Sequence, residues 1–416
     1  MRKVVDSVVP ARLGAGYRWL LASSWSSNLG DGVALAAGPL LVTSLTDDPF
    51  LISLAALLRW APPLVFGLYA GVLSDRHDRR LIMIVANLAR VLVLAGLVAT
   101  MLTGTLTAIG ALAAIGLLTV AEVFADNTAG TLTPMLVHRD DLAVANARLQ
   151  TGFITLNQLI GPPIGAALFA AGTAWPFATE VVLVAAAVVL VSRVRLPVRE
   201  RPAQDRRSLR RDVAEGFRWT VNHAAVRTLV LTILIFNVTF GAAWSVLVLY
   251  AQERLGLGAI GFGLLTTVSA VGGLLGTALY GAITRRVSLG NVMRVGLIIE
   301  TLTHLGLAVT NSPVVASAIF FVFGAHAFVW GTTSVTVRQR AVPEQLQGRV
   351  NSLNTICVFG GLVVGSVIGG VLATHYGVTA PFWFAFAGSA AFVVLLWREM
   401  TRIAHEDEQE PVPAAA

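Results

Sequence analysis

Gly71-Val72-Leu73-Ser74-Asp75-Arg76-His77-Asp78-Arg79-Arg80 packs most of its charge into six positions and lies between two long apolar runs. Five of these ten residues are Asp or Arg and a sixth is His77, whereas 13% of the 416-residue chain is charged. Such a block cannot sit in hydrocarbon, where every polar group must find a partner within the protein. It is therefore predicted to be a tight aqueous turn between two membrane-spanning helices. Outward from it, apolar runs of about 20 residues, the length that spans a bilayer, recur along almost the whole chain. With 56% hydrophobic residues and a mean hydropathy of +0.74, the chain has too little charge for a soluble protein of its size.

Twelve spans are expected, at 18–45, 50–73, 81–103, 106–136, 142–171, 174–194, 228–252, 260–284, 289–309, 313–337, 350–374 and 380–398. Lys and Arg test that topology. One set of alternate connections, with the span ends that adjoin it, holds 27 of the 30 basic residues; the other holds Arg254 alone, while Arg59 and Arg90 fall deep inside spans. By the positive-inside rule the Arg-rich side is cytoplasmic, so both termini are expected there. The first apolar run is too long for a signal peptide and is read as a retained helix. All but one of the basic residues are Arg, which points to a bacterial chain of high GC content and hence to a cytoplasmic (inner) membrane location.

The chain also repeats itself. Gly71–Arg76 is echoed weakly by Gly281–Arg286, an offset of 210; Gly161 and Gly165 recur as Gly365 and Gly369, an offset of 204; Pro176-Phe177 recurs as Pro381-Phe382, an offset of 205. One six-helix unit used twice in the same orientation accounts for all three. The expected organisation is a first bundle at 1–195, a basic linker at 196–227, a second bundle at 228–402 and an acidic tail at 403–416. Ten arginines lie between Arg193 and Arg227, and an amphipathic helix is expected over 206–222, with Leu209, Val213, Phe217 and Trp219 toward the membrane surface. No nucleic-acid recognition motif accompanies these arginines. Cys357 is the single cysteine, which excludes disulfides and thiolate metal clusters. No metal or cofactor is expected.

Twelve spans in a six-plus-six repeat, a basic central loop and the Gly71–Arg80 block together resemble the major facilitator superfamily over nearly the whole chain. Asp78 departs from the usual pattern, standing where many members have Gly. Asp75-Arg76-His77-Asp78-Arg79-Arg80, with Asn28-Leu29-Gly30-Asp31-Gly32 and Pro62-Pro63, is similar to the branch that includes macrolide exporters, tetracycline/aminoglycoside pumps and the enterobactin exporter. The resemblance implies that Asp75 latches onto the start of the eleventh helix, that Arg76 or Arg79 relays to an acid in the fourth helix, here Asp126, and that Gly71 and Arg80 belong to the same gate. Gly161-Pro162-Pro163-Ile164-Gly165-Ala166 resembles an exporter motif of the fifth helix. Its prolines are expected to kink that helix and its glycines to admit a neighbour, for which Gly272, Gly273 and Gly276 of the eighth helix are candidates. The Arg that many proton-coupled exporters carry in the fourth helix is absent between residues 106 and 136.

A charge at the centre of a span costs about 2.5–3.5 kcal/mol on insertion scales, so each needs a reason. The deepest are Asp31, Arg59, Arg90, Glu122 and Glu300, with Glu180 and Asp126 nearer helix ends. Asp31, Arg90 and Glu122 are expected to form an acid–base–acid cluster, either a proton carrier or a structural ion pair. Arg59 pairs with Asp31 or faces the cavity. In the second half, Glu300 occupies the repeat position of Arg90 (300 − 90 = 210), with His304 one turn on, as a relay or a structural pair. The resemblance places Ser24, Asn28, Asn237, Phe240, Trp244, His326 and Trp330 along the substrate cavity, which suits a large amphipathic organic molecule.

The resulting expectation is an all-α polytopic transporter, monomeric, exporting a small organic molecule by alternating access in exchange for protons. Proton-coupled import is the alternative. A membrane enzyme on the same scaffold would need a clustered catalytic set, and only scattered residues are found; no Walker-type loop is present either. Reporter fusions at Asp75 and at Arg285 are expected to report the same, cytoplasmic face; opposite faces would overturn the repeat and the topology together.

Overall fold

The computed structural model is all-helical and describes residues 11–196 and 209–397. The linker at 197–208, the tail at 403–416 and the end of the last expected span at Arg398 lie outside the described residues. The helices are α1 (Gly14–Thr43), α2 (Pro49–Arg76), α3 (Arg79–Leu102), α4 (Ala108–Leu136), α5 in three continuous pieces (Leu142–Gly152, Phe153–Ile160 and Gly161–Ala171) and α6 (Trp175–Ser192). They continue as α7 (Leu209–Asn222), α8 (Ala224–Trp244), α9 (Ala259–Thr284), α10 (Leu289–Val309), α11 (Pro313–Ala341), α12 (Gln347–Tyr376) and α13 (Ala380–Leu396). Their ends lie within four residues of expectation apart from α8, which breaks after Trp244 and resumes through Leu247–Leu249 and a π-helical Tyr250–Arg254.

Among the described residues, ten helices are long and apolar enough to cross a membrane. Two expected spans stand outside that set. α13 is apolar but shorter, and α1, though thirty residues long, carries Arg18, Asn28, Asp31 and four serines. α3 shows what kind of solvent these helices face. Leu81, Val85, Leu88 and Leu92, at helical spacing, are exposed, while Met83, Asn87, Arg90, Leu94 and Leu97 are buried. A water-soluble helix would turn Asn87 and Arg90 outward. Here the polar residues face protein, as a hydrocarbon solvent demands.

The chain divides into two compact units. The first comprises residues 1–203 with 257–267, and the second 204–256 with 268–416, so α9 contributes to both. Within the first, α1 packs against α5 and α6, α2 against α4, and α3 against α4 and α6. Within the second, α8 packs against α12 and α13, α10 against α11 and α13, and α7 against α12.

The glycine repeat has a physical basis in these pairs. A Cβ on Gly161 would lie 2.5 Å from Gly32 Cα, and one on Gly165 would overlap the Val33 carbonyl, so α5 and α1 touch backbone to backbone. At the corresponding positions of α12, Gly365 and Gly369 meet Val238 and Ala242 of α8 in the same way. Gly272 and Gly276 meet Phe321 and Ala325 of α11. The residue of α9 that meets α5 is Gly263, nearly three turns earlier, where a Cβ would lie 2.5 Å from Ala166 Cβ. The two prolines of α5 open its last piece at Gly161, directly after the π-helical stretch Phe153–Ile160. That irregular turn is where the carbonyls left without a donor by the two prolines fall.

α7, described from Leu209, docks on the second unit through Trp219 rather than Phe217; the side chains of Leu209 and Val213 lie outside the described residues. Gly216 and Thr220 are buried, Trp219 joins the core beside Val226 and Val350, and Glu215 pairs with Arg349 of α12 at 2.5 Å. Phe217 and Val221 are left exposed.

Gly165→Val should overpack the α1–α5 contact and destabilise the protein by about 1–3 kcal/mol or more. Gly130→Ala, with open space around it inside α4, should leave the thermal midpoint unlowered or slightly raised. Thermal unfolding in detergent, followed by size-exclusion chromatography, reads both.

Candidate functional site

The charge-dense block is shorter as a turn than its composition suggests. α2 runs on to Arg76 and α3 starts at Arg79, leaving His77 and Asp78 as the whole connection. Asp78 is the N-cap of α3: its Oδ1 accepts from the Arg80 and Leu81 amides at 2.9 and 3.3 Å. A glycine there would leave two orphan N–H groups, so Asp78 has a local structural reason. Arg79 donates through Nε to the Ser74 carbonyl (3.1 Å) and through Nη1 to the Thr131 carbonyl (3.3 Å) and Met135 Sδ (2.9 Å). Arg80 donates to the Ser192 carbonyl at the end of α6. These arginines thus tie the turn to the carbonyl-rich ends of α4 and α6, where the helix dipole favours a cation. Arg76 and His77 are exposed and Gly71 is half-buried; the side chain of Asp75 lies outside the described residues. Asp126 sits ten residues before the end of α4 (136 − 126), roughly 15 Å along the helix. The contacts of Arg79 therefore fall beyond it, and Asp126 is in no ion pair among the described residues.

Deeper in the first unit lies a network centred on Arg90, which is 1% exposed. Its Nη2 pairs with Asp31 Oδ1 of α1 and, at 3.4 Å, with Glu180 Oε1 of α6. Its Nη1 donates to Ser27 Oγ at 2.9 Å and to Asn87 Oδ1 at 3.4 Å, and Ser27 Oγ in turn donates to Asp31 Oδ2 at 3.3 Å. Glu180, on α6, which packs against both α1 and α3, takes the pairing position expected of Glu122. Glu180 Oε2 is buried and has no hydrogen-bond partner among the described residues. Glu122 and Arg59 are half-buried and Asp126 is exposed. Within the buried network two carboxyls thus share one guanidinium, a formal charge of −1 if both are ionised.

The cavity residues expected in the first unit are anchored locally. Asn28 Nδ2 donates to the Ser24 carbonyl (2.8 Å) and to Ser24 Oγ (3.2 Å), and the half-buried Arg59 lies over the ring of Trp60. In the second unit, Asn237 Nδ2 donates to the Ile233 carbonyl at 2.6 Å. Phe240, Trp244 and Phe323 form a stack with centroids 4.3 Å (Phe240–Trp244), 4.7 Å (Trp244–Phe323) and 5.8 Å (Phe240–Phe323) apart. His304 sets its ring edge-on to Trp244 at 5.9 Å. His326, expected in the cavity, instead turns to α10, with Nε2 3.9 Å from Glu300 Oε2. Gly296 makes room for it and for Trp330. Among the described residues no group of His, Cys, Asp and Glu is placed to hold a metal ion.

An inside-out helical bundle with charged side chains paired in its interior defines a polytopic membrane protein. Residues 7–415 match the family of transmembrane secretion effectors, and the chain belongs to that family of the major facilitator superfamily. Macrolide efflux protein A of Streptococcus pyogenes is 24% identical over 371 residues, which cover 85% of this chain and 88% of that protein. The enterobactin exporter EntS of Shigella boydii is 25% identical over 363 residues, 86% and 85% of the two chains. In fold, the chain is similar to a bacterial homologue of the iron transporter ferroportin in its inward-facing state. That similarity has a TM-score of 0.74 at 17% identity and covers 93% of this chain and 99% of the other.

Arg90→Met should strand Asp31 and Glu180 in the interior and destabilise the protein by about 3–5 kcal/mol. Adding Asp31→Asn and Glu180→Gln should restore most of the loss. Denaturation of the single and triple variants checks this, and equal losses in both would show that Arg90 acts through packing rather than charge.

Proposed function

We propose that this protein exports a hydrophobic or amphipathic organic molecule in exchange for protons, by alternating access, with twelve spans and both termini in the cytoplasm. The observation that carries the proton coupling is Arg90 shared between two buried carboxylates, in a neighbourhood where acids outnumber bases. With Asp31 and Glu180 both ionised, Arg90 neutralises one and leaves a surplus negative charge in low dielectric, which favours retention of a proton. Glu180 is the group we assign to hold it, at the unpartnered Oε2. With Glu180 neutral, Arg90 is held by Asp31 alone; when the proton leaves, Arg90 again bridges α1, α3 and α6. Proton release therefore changes how tightly three helices of one unit are tied.

Entry of each proton down a membrane potential supplies about 2.3 kcal/mol per 100 mV, roughly a 50-fold concentration ratio. The stack of Phe240, Trp244 and Phe323 supports an aromatic or amphipathic cargo, since ring faces bind apolar and cationic surfaces alike. The efflux relatives and the Gly161–Gly165 motif support outward transport. Arg79 and Arg80, fastened to α4 and α6, serve as the cytoplasmic catch of the first unit.

Inverted vesicles bearing the protein should accumulate macrolide or catecholate siderophore probes in an uncoupler-sensitive manner. Asp31→Asn and Glu180→Gln should each cut that accumulation, normalised to folded protein in the vesicles, about tenfold or more, in keeping with the usual weight of a positioned proton acceptor. Uncoupler-sensitive accumulation that persists in both variants would remove the coupling role, and uptake by right-side-out vesicles instead would reverse the direction.

A further inference from the structure

The second unit buries a different set of titratable groups, independent of the Arg90 network. Glu300 and His304 lie one turn apart on α10, and His326 faces them from α11. The His304 side chain is fully buried and that of His326 nearly so. Neither ring nitrogen of either histidine has a hydrogen-bond partner among the described residues, although buried polar atoms are almost always satisfied. Glu300 makes one described polar approach, the 3.9 Å separation from His326 Nε2, longer than a hydrogen bond and within ion-pair range.

The surrounding elements supply no other charge to this cluster. α13 contains no ionisable residue, α8 carries only Arg227, at its start, and the part of α9 in this unit has only Tyr280. Arg338, the nearest base along α11, is twelve residues from His326, roughly 18 Å away along the helix, with Arg340 beyond it. Arg294 of α10 donates to Asn291 and to the Trp397 carbonyl. From the π-helical segment, Tyr250 and Arg254 give their hydrogen bonds to the Leu307, Val309 and Thr310 carbonyls.

The charge balance of this enclosed set is simple. With Glu300 ionised and both histidines neutral the cluster is −1; one proton makes it neutral, either as a carboxylic acid or as a carboxylate–imidazolium pair; two make it +1. Low dielectric disfavours both charged extremes, so the cluster is built to carry one proton. We propose that Glu300, His326 and His304 form a second proton-binding centre, in which one proton is held between the Glu300 carboxylate and the His326 imidazole. His304 is the positioning partner: its ring, edge-on to Trp244, links the centre to the aromatic stack. Loading and unloading this proton changes the charge beside Trp244 and Phe323, which also packs against His326 at 5.6 Å. The centre goes beyond the export reading, because it binds its proton whichever way cargo moves.

Infrared difference spectra of the full-length protein in lipid, recorded between about pH 5 and about pH 9, test it, since carboxylic acids and imidazoles change state there when they share a proton. A titrating carboxylic-acid carbonyl band should appear in the wild type, persist in the Asp31→Asn/Glu180→Gln double variant and vanish in Glu300→Gln. Persistence in the double variant separates this centre from the Arg90 network, so failure of either is seen on its own. His326→Asn, which retains Glu300, should move the band's midpoint by about one pH unit, a tenfold change in proton affinity. His304→Asn should move it less and should alter the Trp fluorescence change that accompanies the titration. A midpoint unmoved in His326→Asn, or a full set of bands surviving in Glu300→Gln, would overturn the proposal.

Discussion

Pairing a charge inside hydrocarbon is the constraint on which the first unit depends. Arg90 is too deep in α3 to reach water, so it must find carboxylates on whichever helices stand beside it. Asp31 and Glu180 meet that need, and in doing so they fix the rotation of α1, α3 and α6 about their axes. The backbone contact of α5 with α1 at Gly161 and Gly165 then fixes the distance of a fourth helix. Electrostatics thus sets orientation and small residues set spacing. Neither works through a hydrophobic drive between helices, which lipid does not provide.

Much of this was legible in the chain. Apolar runs locate the helices, and residue counting gives depth. Asp31 lies 12 residues before the end of α1 (43 − 31) and Arg90 12 before the end of α3 (102 − 90), so the two share a level. Glu122, 14 residues into α4 (122 − 108), lies near that level too, which made it the natural third partner. Glu180, only five residues into α6 (180 − 175), takes that position instead. Depth along a helix is one-dimensional information; which helices are neighbours is set by packing and cannot be counted off the sequence. The same limit explains the glycines of α9, whose spacing signals close approach without saying to what. Asp78 was legible in principle, as an Asp immediately before an apolar helix, but its place in a charge-rich block hid its capping role.

The two units share one kind of helix contact and differ in their interior chemistry. Glycines at a 204-residue offset close α5 on α1 and α12 on α8 alike. At the position of Arg90, however, the second unit has Glu300, and the acid–base–acid network gives way to a carboxyl, two imidazoles and an aromatic stack. Such divergence is tolerated because these helix contacts rest on glycines and main chain, which leaves the inward-facing side chains free to change.

The turn at His77 and Asp78 carries a mechanical corollary. Two residues of extended chain reach about 7 Å, so α2 and α3 are coupled by a tether with almost no slack. The Asp78 cap stiffens the lower end of that tether. Any rocking of α2 is handed on to α3 as a lever, and Arg90, three turns along that lever, is displaced relative to its carboxylates without a signal passing through any intervening side chain.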